Sequence, residues 1–300
     1  SPWKQLISSI KEIEGRLHNL ALDIEFGIKN NNKIVIFQVR PIAANQKYYN
    51  NIDEKIFTTV QSIVEKYKRL SNTAIYQNSY TLSDMSFWNP AEILGDRSNT
   101  LAYSTYRFLI LHRAWNTGLL PLGYKKIERD LIVKIGNKSY IEVETAFTAL
   151  LPKQLNKSIT KKLISYYIDK LKNNPELHDK IEFEIVHNCY TPVTENQLLE
   201  LKPVLNNVEY DEFKESLKEL TQNIFRKYND LKSRDINFLK KLKKRRNQSV
   251  QKSRNASLID KINTAVNLLN DAKELGTPQF SRMARLAFIG NQYIKGLVLK

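Results

Sequence analysis

Asp23-Ile24-Glu25-Phe26-Gly27 and Ile36-Phe37-Gln38-Val39-Arg40-Pro41 bracket the polar run Asn30-Asn31-Asn32-Lys33. Alternating segments separated by such a run read as the two strands of a β-hairpin, over 22–28 and 33–40. Pro41 ends the second strand because it has no N–H to give to the ladder. Alternate side chains of a strand share a face. Asp23 and Glu25 therefore point one way and Ile24 and Phe26 the other; Gln38 and Arg40 likewise lie opposite Phe37 and Val39. With a loop at 30–33, Glu25 falls across from Gln38, and Asp23 across from Arg40. Two carboxylates, an amide oxygen and a guanidinium then converge on one patch.

Outward from the hairpin, helical spacing dominates. Leu6, Ile7, Ile10, Ile13, Leu17 and Leu20 predict a helix over 3–20. Residues 43–51 read as a linker, and Ile56, Val60, Ile63, Val64, Tyr67 and Leu70 mark the next helix. A polar loop is expected over 71–83, a helix over 100–117, and a second hairpin, 130–135 with 139–144, around Gly136-Asn137. Helices follow at 158–173 and near 195–205. Phe213, Leu217, Leu220, Ile224, Tyr228, Leu231, Leu239 and Leu242 trace one face of a long helix over 210–246, interrupted at Asp235. Residues 256–275 and 279–299, separated by Gly276-Thr277-Pro278, complete a pair or bundle of long helices. The fold class is α+β and predominantly helical.

The polar face of the first hairpin has a chemical use. Mg²⁺ takes oxygen ligands and usually keeps substrate phosphates as partners. Arginine supplies planar, permanent charge for a transferring phosphoryl group. Glu25 and Gln38 would hold the metal and Arg40 would steady the phosphates, while a salt-bridged polar face is the plain alternative. The pattern D-I-E-F/W followed by Q-x-R-P resembles the end of the ATP-grasp domain of the phosphoenolpyruvate synthase and pyruvate phosphate dikinase family. The resemblance covers about residues 10–42. It implies Mg²⁺ ligation by Glu25 and Gln38, phosphate contact by Arg40, and an ATP site that includes Asp23. Phe26 stands where Trp is frequent in the family, and Val39 where Ala is frequent.

Asp84-Met85-Ser86-Phe87-Trp88-Asn89-Pro90-Ala91-Glu92-Ile93-Leu94-Gly95 is similar to a segment that follows the ATP-binding domain in one subgroup. Gly276-Thr277-Pro278-Gln279-Phe280-Ser281-Arg282-Met283-Ala284-Arg285 is similar to another. That subgroup includes L-glutamine kinases of capsular phosphoramidate synthesis, and rifampin phosphotransferases share the three-part architecture. The resemblance implies an acceptor site, with Trp88, Asn89 and Glu92 as lining candidates. Asn89 also fits a helix cap ahead of Pro90. Arg282 and Arg285 share a helical face and suit either an anionic substrate group or a neighbouring carboxylate. The family's Gly-flanked phosphohistidine is not matched by His18, His112, His178 or His187, which read as structural or solvated. The lysine and Gly-rich phosphate loop of the first part of an ATP-grasp domain is also unmatched. The chain therefore resembles the middle of a longer enzyme: a nucleotide-binding remnant over 1–42 and a central domain over 43–300, inactive alone. The start on Ser1 without an initiator Met fits a truncated chain, though simple Met removal gives the same start.

Composition sets the remaining bounds. The 300 residues hold one large domain or two modest ones. No apolar run approaches the roughly 18 residues of a membrane span, and the N-terminus has no secretory pattern. The lone Cys189 excludes an internal disulfide and a cysteine metal cluster, which points to a reducing, cytoplasmic setting. The net charge of +16 calls for an anionic partner, or for acidic surface elsewhere in a longer protein. Lys240, Lys241, Lys243, Lys244, Arg245, Arg246, Lys252 and Arg254 form a run without an acidic residue. It lacks interleaved aromatics and reads as a solvated helix end, so nucleic acid is disfavoured as a partner. The P-loop, dinucleotide, zinc-protease and serine-hydrolase motifs are all missing. The expected function is ATP-dependent phosphoryl transfer through a phosphohistidine domain, with Mg²⁺ and ATP as cofactors and glutamine as the leading acceptor. Pyruvate and an antibiotic hydroxyl are the alternatives in the same family; a basic helical scaffold or nucleic-acid module is the alternative outside it.

Overall fold

The computed structural model describes residues 2–18, 22–41, 52–76, 80–87, 89–111, 113–253 and 255–300. The expected linker at 43–51 lies outside them, as do Trp88, His112 and Arg254. By contacts the chain forms two units, Ser1–Phe57 and Thr58–Lys300.

In the first unit, helix α1 (Pro2–Leu17) opens on a proline, whose missing N–H falls among groups that a first turn leaves unbonded. Strands β1 (Leu22–Ile28) and β2 (Ile34–Pro41) pair antiparallel. Ile28 pairs with Ile34, so the loop is 29–33, one residue longer than expected. It is closed by Lys29 N donating to Lys33 O at 3.0 Å and Asn32 N donating to Lys29 O at 2.8 Å. A β-bulge beside Glu25 and Phe26 then leaves Phe37 without a partner. The extra residue cancels the offset at the turn, and Glu25 meets Gln38 while Asp23 meets Arg40. The Phe37 ring lies over Gly27, where a Cβ would come within 2.8 Å of it.

Helix α2 (Ile52–Ser71) contains the boundary between the units. In the second unit, β4 (Ile132–Ile135) and β5 (Lys138–Glu142) form the second hairpin, turned by Gly136 at φ 58°. A short strand, β3 (Leu82–Ser83), lies within the stretch expected as loop and pairs with β5, giving the order β3-β5-β4. Residues 143–144, expected in a strand, begin helix α6 (Val143–Thr148). The cause is local: Glu142 Oε1 accepts from Glu144 N at 3.0 Å and its Oε2 from Thr145 N at 2.8 Å, a carboxylate cap on a helix start.

Helices α3 (Pro90–Leu94) and α4 (Thr100–Tyr106) are capped by Asn89 and Asn99. The expected helix over 100–117 is divided: α4 runs into a π-helical turn, Arg107–Leu111, before α5 (Arg113–Leu119). Helix α7 (Lys157–Asn173) follows its Asn156 cap, and a second π-helical turn spans Ile181–Ile185. Helix α8 (Thr194–Leu198) tightens into a 3₁₀ turn, Leu199–Leu201.

The long helix is α9 (Asn207–Ser253), followed by α10 (Leu258–Leu275) and α11 (Thr277–Leu299). Its stripe is buried at Phe213, Leu217, Leu220, Ile224 and Leu231, while Tyr228 is exposed. Two apolar clusters form the core. One joins Val143, Phe147 and Leu151 of the α6 region to Ile159, Leu163 and Tyr167 of α7. The other joins Ala146 and Ala149 to Trp115, Tyr124, Ile224 and Ile289. The opposite sides of α6 thus serve both clusters. No described helix is long and apolar enough to cross a membrane.

Candidate functional site

Two places gather the residues singled out in the sequence. The first is the hairpin face of the first unit. Arg40 Nη2 lies 2.6 Å from Glu25 Oε1 and 3.2 Å from Asp23 Oδ2, and all three side chains are 53% exposed. The antiparallel register holds them together, because residues directly opposite share a face. Gln38 stands opposite Glu25. Among the described residues, no group of three or more His, Cys, Asp or Glu is arranged to hold a metal. This donor set of two carboxylates and an amide still fits Mg²⁺, which is usually bound by one or two carboxylates and keeps waters and phosphates for the rest. It would not suit a metal that needs an all-protein cage. The bridged, exposed guanidinium is also what a plain surface ion pair looks like, and such pairs contribute little to stability.

The second place is a cavity of about 190 Å³ within the second unit, walled by Phe87, Trp115, Leu119, Leu150 and Phe288 and reached by Glu182 and Arg285. Phe87 brings the D-M-S-F segment to this wall. It holds a left-handed backbone, φ 55°, and its ring meets Trp115 edge-on at 4.8 Å. A bulky residue in that region of φ is an outlier that needs surrounding structure to hold it.

Arg285 is 4% exposed. Its Nε donates to Tyr124 Oη at 3.1 Å, and its guanidinium carbon sits 5.2 Å from the centre of that ring. Tyr124 Oη in turn donates to Asn188 O at 3.0 Å. Among the described residues, Arg285 Nη1 and Nη2 are buried without a hydrogen-bond partner, and so is Trp115 Nε1. Glu182 is held by the π-helical turn, its carbonyl accepting from Asn188 Nδ2 at 2.6 Å and Gln292 Nε2 at 2.8 Å. Burial pushes its carboxyl above the ordinary range, against the opposing pull of Arg285.

The other candidates are placed differently. Arg282, one turn from Arg285, is committed elsewhere: Nε and Nη2 grip the two oxygens of Asp235 at 2.7 and 3.0 Å. Its Nη1 donates to Thr117 O and Gly118 O at 3.0 and 2.8 Å. Of its two expected uses, an anionic substrate group or a neighbouring carboxylate, Arg282 is seen in the second. Asn89 caps α3, accepting from Glu92 N at 3.0 Å, and Glu92 is exposed on that helix. Neither reaches the cavity wall. Trp88 lies outside the described residues. His187 Nε2 contacts Glu200 Oε1 at 2.8 Å. His178 Nδ1 faces both Ser83 and Asp84, so one nitrogen would have to serve as base and be oriented at once, which a catalytic triad does not allow.

Sequence reasoning missed Glu182 and Trp115. Glu182 lies in an alternating segment, Ile181-Glu182-Phe183-Glu184-Ile185, where nothing distinguishes a buried acid from a solvated one. Comparisons of the chain with family models, with curated proteins and with solved structures find no match.

Proposed function

We propose that the chain carries the closing hairpin of an ATP-grasp nucleotide-binding domain and a helical acceptor domain of an ATP-dependent phosphotransferase. The observation that supports this reading is the register of the first hairpin, which sets Asp23, Glu25, Gln38 and Arg40 on one face with Arg40 bridging both acids. Glu25 and Gln38 would hold Mg²⁺, with Asp23 beside them. The metal, when bound, supplies charge that offsets the phosphates of ATP. Arg40 presents a planar, permanently charged group to a phosphoryl oxygen, and positioning and electrostatics carry the catalysis.

The remaining ATP-grasp parts and a phosphohistidine domain would be its partners, in a reducing, cytoplasmic setting, and this chain alone would not turn over. A small amide or amino acid such as glutamine is the proposed acceptor, ahead of pyruvate or an antibiotic hydroxyl. The test is Mg²⁺-dependent ATP consumption by the full-length gene product with each acceptor. Arg40→Ala and Glu25→Gln should each lower it by roughly a hundredfold or more. Unchanged consumption in both variants defeats the reading. Binding to random DNA that falls steeply with salt would then favour the basic helical module.

A further inference from the structure

We infer that the cavity lined by α5 and α11 binds the amino-acid group of a small zwitterion, with Arg285 taking the carboxylate and Glu182 the ammonium. This deepens the reading above by giving the acceptor a site and a residue for each of its charged groups, and it rests on that reading only in calling the ligand an acceptor.

Three observations carry it. First, among the described residues the guanidinium is buried with two unpartnered nitrogens, Nη1 and Nη2, and Trp115 on the same wall has an unpartnered Nε1. Buried donors are normally satisfied, and charged ones almost always. A planar fork with two free nitrogens matches a carboxylate. The contrast with Arg282 is instructive: one turn away, its Nε, Nη1 and Nη2 are all engaged.

Second, Glu182 is 7% exposed, reaches the same cavity, and forms no ion pair with Arg285 within 4.0 Å among the described residues. Opposite charges at one cavity without contact leave a place for a group of each sign. A bare carboxylate would meet Glu182 as a like charge, and a bare amine would leave Arg285 unmatched. Only a ligand carrying both satisfies both while adding no net charge to an apolar enclosure. Third, the walls are aromatic and aliphatic, and the cavity of about 190 Å³ exceeds the roughly 150 Å³ that admits benzene. That suits an amino acid with an uncharged side chain.

The test is calorimetric titration of the full chain, without ATP, using L-leucine, L-phenylalanine and L-glutamine. 4-Methylpentanoate and 3-methylbutylamine serve as the leucine analogues that lack one charged group. At least one amino acid should bind, and each analogue should bind roughly thirtyfold more weakly than leucine or worse. Glu182→Gln should weaken amino-acid binding by a similar factor while leaving 4-methylpentanoate no weaker. Ala284→Trp, which fills the cavity and keeps both charged residues, should abolish binding in a chain whose circular dichroism is unchanged. The inference is overturned if the folded chain binds no amino acid, if 4-methylpentanoate binds as well as leucine, or if Glu182→Gln binds leucine unchanged. Amino-acid binding in a full-length protein that consumes no ATP would remove the phosphotransferase reading alone. ATP consumption without amino-acid binding would remove this inference alone.

Discussion

Arg282 and Arg285 stand one turn apart on α11, and their surroundings differ: all three nitrogens of the first guanidinium are engaged, while two of the second have no partner among the described residues. Arg282 is a brace: its side chain is 3% exposed and grips Asp235, 1% exposed, on α9. Removing one partner of a buried pair leaves a bare charge, which costs about 3–5 kcal/mol. Asp235→Ala should lose stability of that order in urea unfolding, and a loss below about 1 kcal/mol would show that the pair is not buried in solution. Asp235→Leu with Arg282→Met should recover only part of it, because Thr117 O and Gly118 O lose their donor as well. The interruption of the α9 stripe at Asp235 was visible in the sequence. Its cause was not, since the partner lies 47 positions away. A shared helical face could not tell a brace from a ligand contact, because both uses need the same residue in the same place.

At the scale of elements, local rules carried most of the reading. Apolar spacing located α1, α2 and α9, since a helix that buries one face must repeat its apolar residues at that period, and the ranges expected for α7, α10 and α11 are helical as well. The first hairpin is more subtle. The expected loop was one residue too short, yet the pairing of Glu25 with Gln38 is observed, because the bulge at Phe37 restores the count. Bulges depend on how a strand bends, and alternation does not encode that. The π-helical turns at Arg107–Leu111 and Ile181–Ile185 were likewise hidden, since an extra residue per turn leaves no compositional trace.

One contact between elements gives a pH prediction. Glu200, in the 3₁₀ turn, meets Lys170 of α7 and His187, each at 2.8 Å. Burial alone would raise its carboxyl, but hydrogen bonds from His187 and Lys170 outweigh this and bring it down to about 2. A carboxyl lowered on folding adds stability that is complete above its unfolded value, about 4.3, and is lost as pH falls toward the folded value. Wild type should therefore lose roughly 1–2 kcal/mol more than Glu200→Gln between pH 5 and pH 2, the figure being reduced for partial exposure. Parallel pH profiles for the two proteins would dismiss the clasp.

For the whole molecule, composition said less than spacing. The net charge of +16 did not reveal where the charge sits. Much of it lies on the second half of α9, where Arg245 reaches Asp271 of α10 at 2.5 Å and Lys240, Lys241, Lys243, Lys244, Arg246 and Lys252 are exposed. The division of the core into two clusters that meet at α6 was also illegible, since it joins residues far apart in the chain.

Cys189, the single sulfhydryl, lies in the second cluster, donating from Sγ to Gln292 Oε1 at 3.3 Å, and burial pushes it up to about 11. At neutral pH it keeps its proton and is shielded from solvent, so an aromatic disulfide reagent should modify the native chain at least about a hundredfold more slowly than the unfolded one. Equal rates would mean that the α11 contact is already open. Gln292 also bonds the carbonyl of Glu182, which couples that sulfur to the cavity wall. The molecule thus contains its own reporter: the pace at which one sulfur releases colour from the reagent times the breathing of helix α11, with no residue exchanged.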